Sequence, residues 1–198
     1  MPIADCTGVL LAGGQSLRFG SNKALAQLDG RRLIEYPAQI LTELFAHRLL
    51  VTNQPEIYAF LGWPMTPDLI PGGGPLAGIE AALTCAATPY IFVAGCDMPH
   101  LDRALITLLC TLAPGFDAVI PLTAKGREPL HGVYARTALP AIKTALAGGS
   151  RKLQVVLGRL KVREVSEAEM LAVSACALRS FSNINTVEDL EPALTGSL

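Results

Sequence analysis

The stretch Thr7-Gly-Val-Leu-Leu-Ala-Gly-Gly-Gln-Ser-Leu-Arg-Phe-Gly-Ser-Asn-Lys23 joins an apolar run to a glycine-rich, cationic loop. Thr7 to Leu11 reads as a strand covered on both faces. Gly13 and Gly14 follow it directly, where positive φ and close approach to the backbone are allowed. The backbone N–H groups of such a loop can cradle phosphate oxygens. Gly-Gly alone fits an ordinary turn equally well. Ser16, Arg18 and Lys23 add a hydroxyl and two cations, a combination that suits a triphosphate, because the departing pyrophosphate carries charge that must be neutralised. The loop is not a Walker A, since Ser21 and Asn22 separate Gly20 from Lys23, and it lacks G-x-G-x-x-G spacing.

Outward from this stretch, apolar runs alternate with helical patterns. Leu49–Thr52, Tyr90–Ala94, Asp117–Leu122 and Leu130–Tyr134 are the further strand candidates. Helical patterns cover Arg32–Ala46, where Pro37 argues for a late start or a kink, and Pro75–Ala87, with Pro in its first turn. Leu101–Leu112 follows, with Asp102 in its first turn, and then Thr137–Ala147 and Arg151–Arg159. Strands alternating with helices predict a mostly parallel sheet with helices on both faces, and a ligand crevice at the carboxyl ends of the strands.

The chain of 198 residues is 51% hydrophobic and 17% charged, which suits one compact domain and excludes a disordered chain. A net charge of −1 offers no global attraction to nucleic acid or to an anionic membrane, so neither is expected as a partner. The five cysteines form no CxxC pair and predict reduced, mostly buried thiols. No signal-peptide pattern opens the chain and no segment approaches the roughly 18 apolar residues of a membrane span. The expected location is the cytoplasm.

Asp97 follows the run Tyr90–Ala94, at the edge where a parallel sheet places chemistry. Alone it reads more readily as a turn former; opposite a phosphate-type loop it becomes a Mg²⁺ ligand, since Mg²⁺ takes one or two protein carboxylates plus phosphates and water. His100 reads as a loop histidine, because an ionised phosphate nucleophile needs no base. Asp68, before Gly72-Gly-Gly74, can accept from the ring N–H and exocyclic amine that guanine presents, or it can belong to a flexible connection. Arg127, and Arg151 with Lys152, are either phosphate ligands for a second substrate or exposed cations. Asn183 and Asn185 either serve the pocket or hold a turn, ahead of a Thr186/Asp189 pair resembling a capping box.

The run from Leu11 to Leu25 resembles the L-A-G-G-x-S-x-R-M-G-x-D-K signature of molybdenum cofactor guanylyltransferases. The likeness continues through Gly74-Pro-Leu-Ala-Gly78, Cys96-Asp-Met-Pro99, Arg127-Glu-Pro-Leu130 and Asn183-Ile-Asn-Thr186, nearly the whole chain in family order. The resemblance implies a single domain over residues 1–198 with a Rossmann-like three-layer α/β/α nucleotidyltransferase fold, mostly parallel with one antiparallel strand. It implies Mg²⁺-dependent transfer of GMP from GTP to the terminal phosphate of molybdenum-bearing molybdopterin, with release of pyrophosphate. By the same resemblance Leu11, Ala12, Gly13 and Gly14 bind the nucleotide, and Lys23 and Arg18 hold its phosphates. Asn53 contacts the nucleotide, Asp68 faces guanine, and Asp97 holds Mg²⁺. Arg127, Arg151, Asn183 and Asn185 are the candidate acceptor contacts, and molybdoenzyme maturation proteins join GTP and molybdopterin as expected partners. Gly14 favours GTP, since the related cytidylyltransferases resemble Leu-Ala-Ala-Gly there. Asn22 and Phe19 stand where the family usually has Asp and Met. The rivals are a cytidylyltransferase on molybdopterin, another sugar-phosphate nucleotidyltransferase, and a catalytically silent nucleotide-binding delivery protein.

Overall fold

The computed structural model describes residues 2–13, 22–68, 70 and 72–182. The chain order is β1 (Ile3–Leu11), a short 3₁₀ helix (Lys23–Leu25), a ribbon of β2 (Gln27–Leu28) and β3 (Arg31–Arg32), α1 (Glu35–Leu44) and β4 (Phe45–Val51). Then come α2 (Pro55–Tyr58), β5 (Met65–Thr66), α3 (Gly74–Cys85), β6 (Tyr90–Gly95) and α4 (Arg103–Thr111). The remainder is β7 (Ala118–Thr123), β8 (Gly126–Arg127), β9 (His131–Ala135), α5 (Leu139–Ala147), α6 (Leu153–Leu157), β10 (Val162–Ser166) and α7 (Glu167–Val173).

The main sheet runs β10-β7-β9-β6-β1-β4-β5, with β8 paired to β7. β1 lies between β4 and β6 and is parallel to both. β9 is antiparallel to both β6 and β7, the one reversed strand within the main order. The two-residue β8 adds a second antiparallel pairing at the end of β7, too short for any sequence pattern to announce. β1 is buried on both faces because consecutive residues enter separate cores. Leu10 joins Leu41, Phe45, Phe92, Leu105 and Met170 beneath α1, α4 and α7. Val9 joins Leu76, Ile79, Val93, Ile142 and Val156 beneath α3, α5 and α6. These are the three layers expected of the fold.

Pro37 sits in the first turn of α1, where its missing N–H has no partner to lose, so the helix starts late and does not kink. Asp102 is the cap of α4 and lies just outside its first turn, with its carboxylate accepting from the Leu105 N–H at 2.8 Å. β5, β10, α2 and α7 had no sequence signal. β10, Val-Arg-Glu-Val-Ser, carries polar residues because it borders only β7. α7 starts on a capping box between Ser166 and Glu169; the anticipated box at Thr186 and Asp189 lies outside the described residues. All five cysteines are free, but the expectation that most are buried is corrected: only Cys6 is, while Cys85 and Cys176 are exposed. No helix among the described residues is long and apolar enough to cross a membrane.

His131 of β9 is fully buried between Phe92 and Phe181, each ring centroid 5.2 Å away. Neither ring nitrogen has a hydrogen-bond partner. Burial lowers its pKa from 6.5 to about 3, with Asp102 opposing weakly. Between those values the unfolded chain binds the proton and the folded one does not, so this contribution to stability is complete above about pH 6.5 and is lost as the pH falls toward 3. His131→Leu is therefore expected to flatten the fall in urea midpoint between pH 7 and 4. An unchanged slope would remove His131 from the account.

Candidate active site

β1 and β6 end together, with Leu11 opposite Gly95. Beyond them the Ala12 N–H donates to the Val51 carbonyl at 2.9 Å, and the Cys96 N–H to the Leu11 carbonyl at 3.3 Å. Gly13 and Asp97 thus leave neighbouring parallel strands at the same carboxyl edge. Gly14 and Arg18 fall in 14–21, outside the described residues. The chain is described again at Asn22, and Lys23 returns to this edge with its Nζ 2.9 Å from Asp97 Oδ2. The Lys23 side chain is 11% exposed and that of Asp97 28%, so the pair is sheltered but open to a ligand on the acid's side. Asp97 folds back over the end of β6, and a Cβ at Gly95 would lie 2.5 Å from its Oδ1. Only glycine at 95 leaves room for this pose of the carboxylate.

Asn22 opens the turn that carries Lys23, at the position where the family resemblance leads one to expect Asp. Its Oδ1 accepts from the Ala24 N–H at 3.1 Å and caps the short 3₁₀ helix that carries Lys23. Its Nδ2 donates to the Tyr58 hydroxyl at 3.0 Å. Neither Tyr58 nor Gly95 was singled out in the sequence.

Asn53 and Asp68 follow β4 and β5 at the same edge. Asn53 Oδ1 accepts from the Asp68 N–H at 2.9 Å, and Asp68 Oδ1 accepts from the Ile70 N–H at 2.9 Å. Asn53 is thereby tied to the loop that carries Asp68, and one oxygen of Asp68 is occupied by its own turn. Asp68 is partly exposed and Asn53 exposed.

The candidate acceptor residues are spread further along the edge. β7 runs in the same direction as β6, so the β7–β8 turn also reaches the carboxyl side, with β9 between them. There Arg127 Nε donates to Glu164 Oε1 at 2.6 Å, an ion pair with β10. Arg151, between α5 and α6, donates to the Leu146 carbonyl at 3.4 Å. Neither touches Lys23 or Asp97, and Asn183 and Asn185 lie outside the described residues. His100 is in the turn after Met98 and Pro99, where burial and the Arg179 charge hold its pKa below the usual value. Desolvation of the half-buried Cys96 thiol, with the Asp97 charge next, pushes it up to about 12. Among the described residues no three His, Cys, Asp or Glu side chains converge as a metal cage.

The MobA-like NTP transferase domain matches residues 8–165. The chain is 40% identical to the molybdenum cofactor guanylyltransferase of Desulfosudis oleivorans over 94% of its own length and 93% of that protein's. It is 36% identical to a probable molybdenum cofactor guanylyltransferase of Pelotomaculum thermopropionicum, over 96% and 92% respectively. The crystal structure of molybdopterin-guanine dinucleotide biosynthesis protein A from Archaeoglobus fulgidus superposes with a TM-score of 0.81 at 30% identity, covering 94% of this chain and 96% of that one. With a family match over residues 8–165 and a curated relative 40% identical over 94% of this chain, the chain is a member of the molybdenum cofactor guanylyltransferase family, within the MobA-like NTP transferases.

Proposed function

We propose that this protein transfers GMP from Mg²⁺-GTP to the terminal phosphate of the molybdenum–molybdopterin cofactor, releasing pyrophosphate. The observation that carries the reading is the contact of Lys23 Nζ with Asp97 Oδ2, which joins residues 74 apart in sequence at the end of the strand that leads into the glycine-rich loop. An oxygen of the acceptor phosphate attacks the α-phosphorus of GTP, the bond to the bridging oxygen breaks, and pyrophosphate leaves with the electron pair. The nucleophile is already ionised, so the chain has to position charges and supplies neither base nor covalent nucleophile. Gly13 and Gly14 offer backbone N–H groups to the phosphates. Lys23, together with Arg18, balances the charge that grows on the leaving pyrophosphate.

Asp97 fits a Mg²⁺ site that is completed by substrate. It is a single, partly exposed carboxylate seated over Gly95, and Mg²⁺ needs only one or two such ligands beside phosphate and water. When bound, the metal supplies charge neutralisation and polarises the α-phosphorus. Incubation with GTP, Mg²⁺ and molybdopterin is expected to yield the guanine dinucleotide and one pyrophosphate per turnover. A product from CTP only, or binding without pyrophosphate release, would overturn the reading.

Asp68 is assigned to guanine. A hydrogen bond to a charged group contributes about 1.5–3 kcal/mol, so Asp68→Ala is expected to weaken GTP binding roughly tenfold to a hundredfold and to narrow the preference over CTP. Parallel titrations with the two nucleotides check it; an unaltered ratio removes Asp68 from base recognition. Arg127, Arg151, Asn183 and Asn185 are kept as acceptor contacts, and maturation proteins of molybdoenzymes as the class of partner that receives the product.

A further inference from the structure

We infer that Tyr58 is a positioning residue of this enzyme, acting on Lys23 through Asn22. Tyr58 ends α2, in the crossover that follows β4, and is only 2% exposed. Its ring belongs to the same buried core cluster as Ala24, its hydroxyl reaches the start of the lysine-bearing turn at Asn22, and it is near enough to Cys96, the residue before Asp97, for the two to interact electrostatically. Its hydroxyl is the one polar atom of the ring in this apolar setting and takes a hydrogen bond from Asn22 Nδ2 at 3.0 Å. The amide cannot turn over without loss, because its Oδ1 is engaged by the Ala24 N–H at 3.1 Å.

The 3₁₀ helix from Lys23 to Leu25 is three residues long; its backbone closes through the Leu25 N–H on the Asn22 carbonyl at 3.0 Å, and the Ala24 N–H at its start is taken by the Asn22 side chain. Its entry is set by the Asn22 side chain, and the Asn22 side chain is set by Tyr58. Lys23 is the residue between the cap and the capped N–H. Loss of the Tyr58 hydroxyl lets the cap rotate, and the direction of Lys23 toward Asp97 is no longer imposed. The tyrosine O–H also donates to Asn22 Oδ1 at 3.2 Å, so an Asp at 22 would keep that hydrogen bond and the cap and lose only the one from Nδ2.

This inference rests on the transfer reaction proposed above. Its test is a double-mutant cycle with Lys23, paired with one measurement that needs no activity. One neutral hydrogen bond corresponds to roughly threefold to tenfold, so Tyr58→Phe is expected to lower kcat/KM for GTP by that factor, mostly through KM. In a Lys23→Ala background the same substitution is expected to cost nothing more, since the group it positions is gone. Asn22→Asp is expected to stay within about twofold of the parent, as its carboxylate keeps both hydrogen bonds, whereas Asn22→Leu is expected to match Tyr58→Phe. Unchanged kinetics in Tyr58→Phe, or an equal loss with and without Lys23, would overturn the role; the second result marks Tyr58 as merely structural. Hydrogen exchange at the Ala24 amide, expected to quicken in Tyr58→Phe, separates the two claims. If the parent protein transfers no GMP, the proposed reaction fails while the exchange rate still decides whether Tyr58 holds the cap. An unaltered Ala24 rate refutes the inference by itself.

Discussion

Asp97→Asn is expected to fold, to retain part of its GTP affinity, and to lose GMP transfer by roughly 10³-fold. The substitution keeps the shape of the side chain over Gly95 and removes its charge. The loss of transfer follows from removing the carboxylate to which the metal is assigned: among the described residues no three or more His, Cys, Asp or Glu side chains converge to offer another site. Stability should change little. The Lys23–Asp97 pair is partly open to solvent on the Asp97 side, and ion pairs of this exposure contribute up to about 1 kcal/mol. A domain of this size then loses only about 2–4 °C in melting temperature. Melting curves, GTP titration and pyrophosphate release on one sample distinguish the outcomes. Transfer at the parental rate, with Mg²⁺ still required, would move the metal to another residue.

Lys23→Ala has the second largest expected effect, a drop of roughly 10²-fold in kcat/KM for GTP. The ammonium is held at 2.9 Å from Asp97 Oδ2, directed to the edge where the strand that leads into the glycine-rich loop ends. A charge placed there in advance stabilises a departing pyrophosphate without reorganising during the reaction. Its removal should raise KM and lower kcat together, because both bound triphosphate and leaving group lose a counter-charge. It also frees Asp97 from its partner. Binding of Mn²⁺ alone, without nucleotide, should therefore be as tight as in the parent or tighter while transfer falls. Weakened metal binding with normal nucleotide kinetics would contradict this division of roles.

Much of the sheet was legible because its strands are covered on both faces. Tyr90–Ala94 and Asp117–Leu122 read as near-continuous apolar runs for that reason and fold as Tyr90–Gly95 and Ala118–Thr123, and Val9 and Leu10 show the two cores that enforce it. Helix starts were legible where a local chemical rule applies, as with Pro37 in the first turn of α1 and Asp102 ahead of α4. β5, with two residues, and the polar border strand β10 had no such pattern, because pairing with a neighbour already in the sheet defines them and burial does not.

The candidate site divides in the same way. Sequence alone determined which groups are present: a glycine-rich turn after an apolar strand, two cations beyond it, and acids placed just past strand ends, with a family pattern that orders them. Only the tertiary structure decided how they meet. Lys23 reaches Asp97 across 74 residues because β1 and β6 are neighbours in register, and Asn22 meets Tyr58 across 36 because β4, paired with β1, brings the following α2 to the same edge. It also decided that Arg127 is paired with Glu164 and that Asn53 serves the Asp68 loop. Chemical identity is a local property of the chain, whereas distance between groups is set by sheet order and crossover handedness, which no single segment encodes.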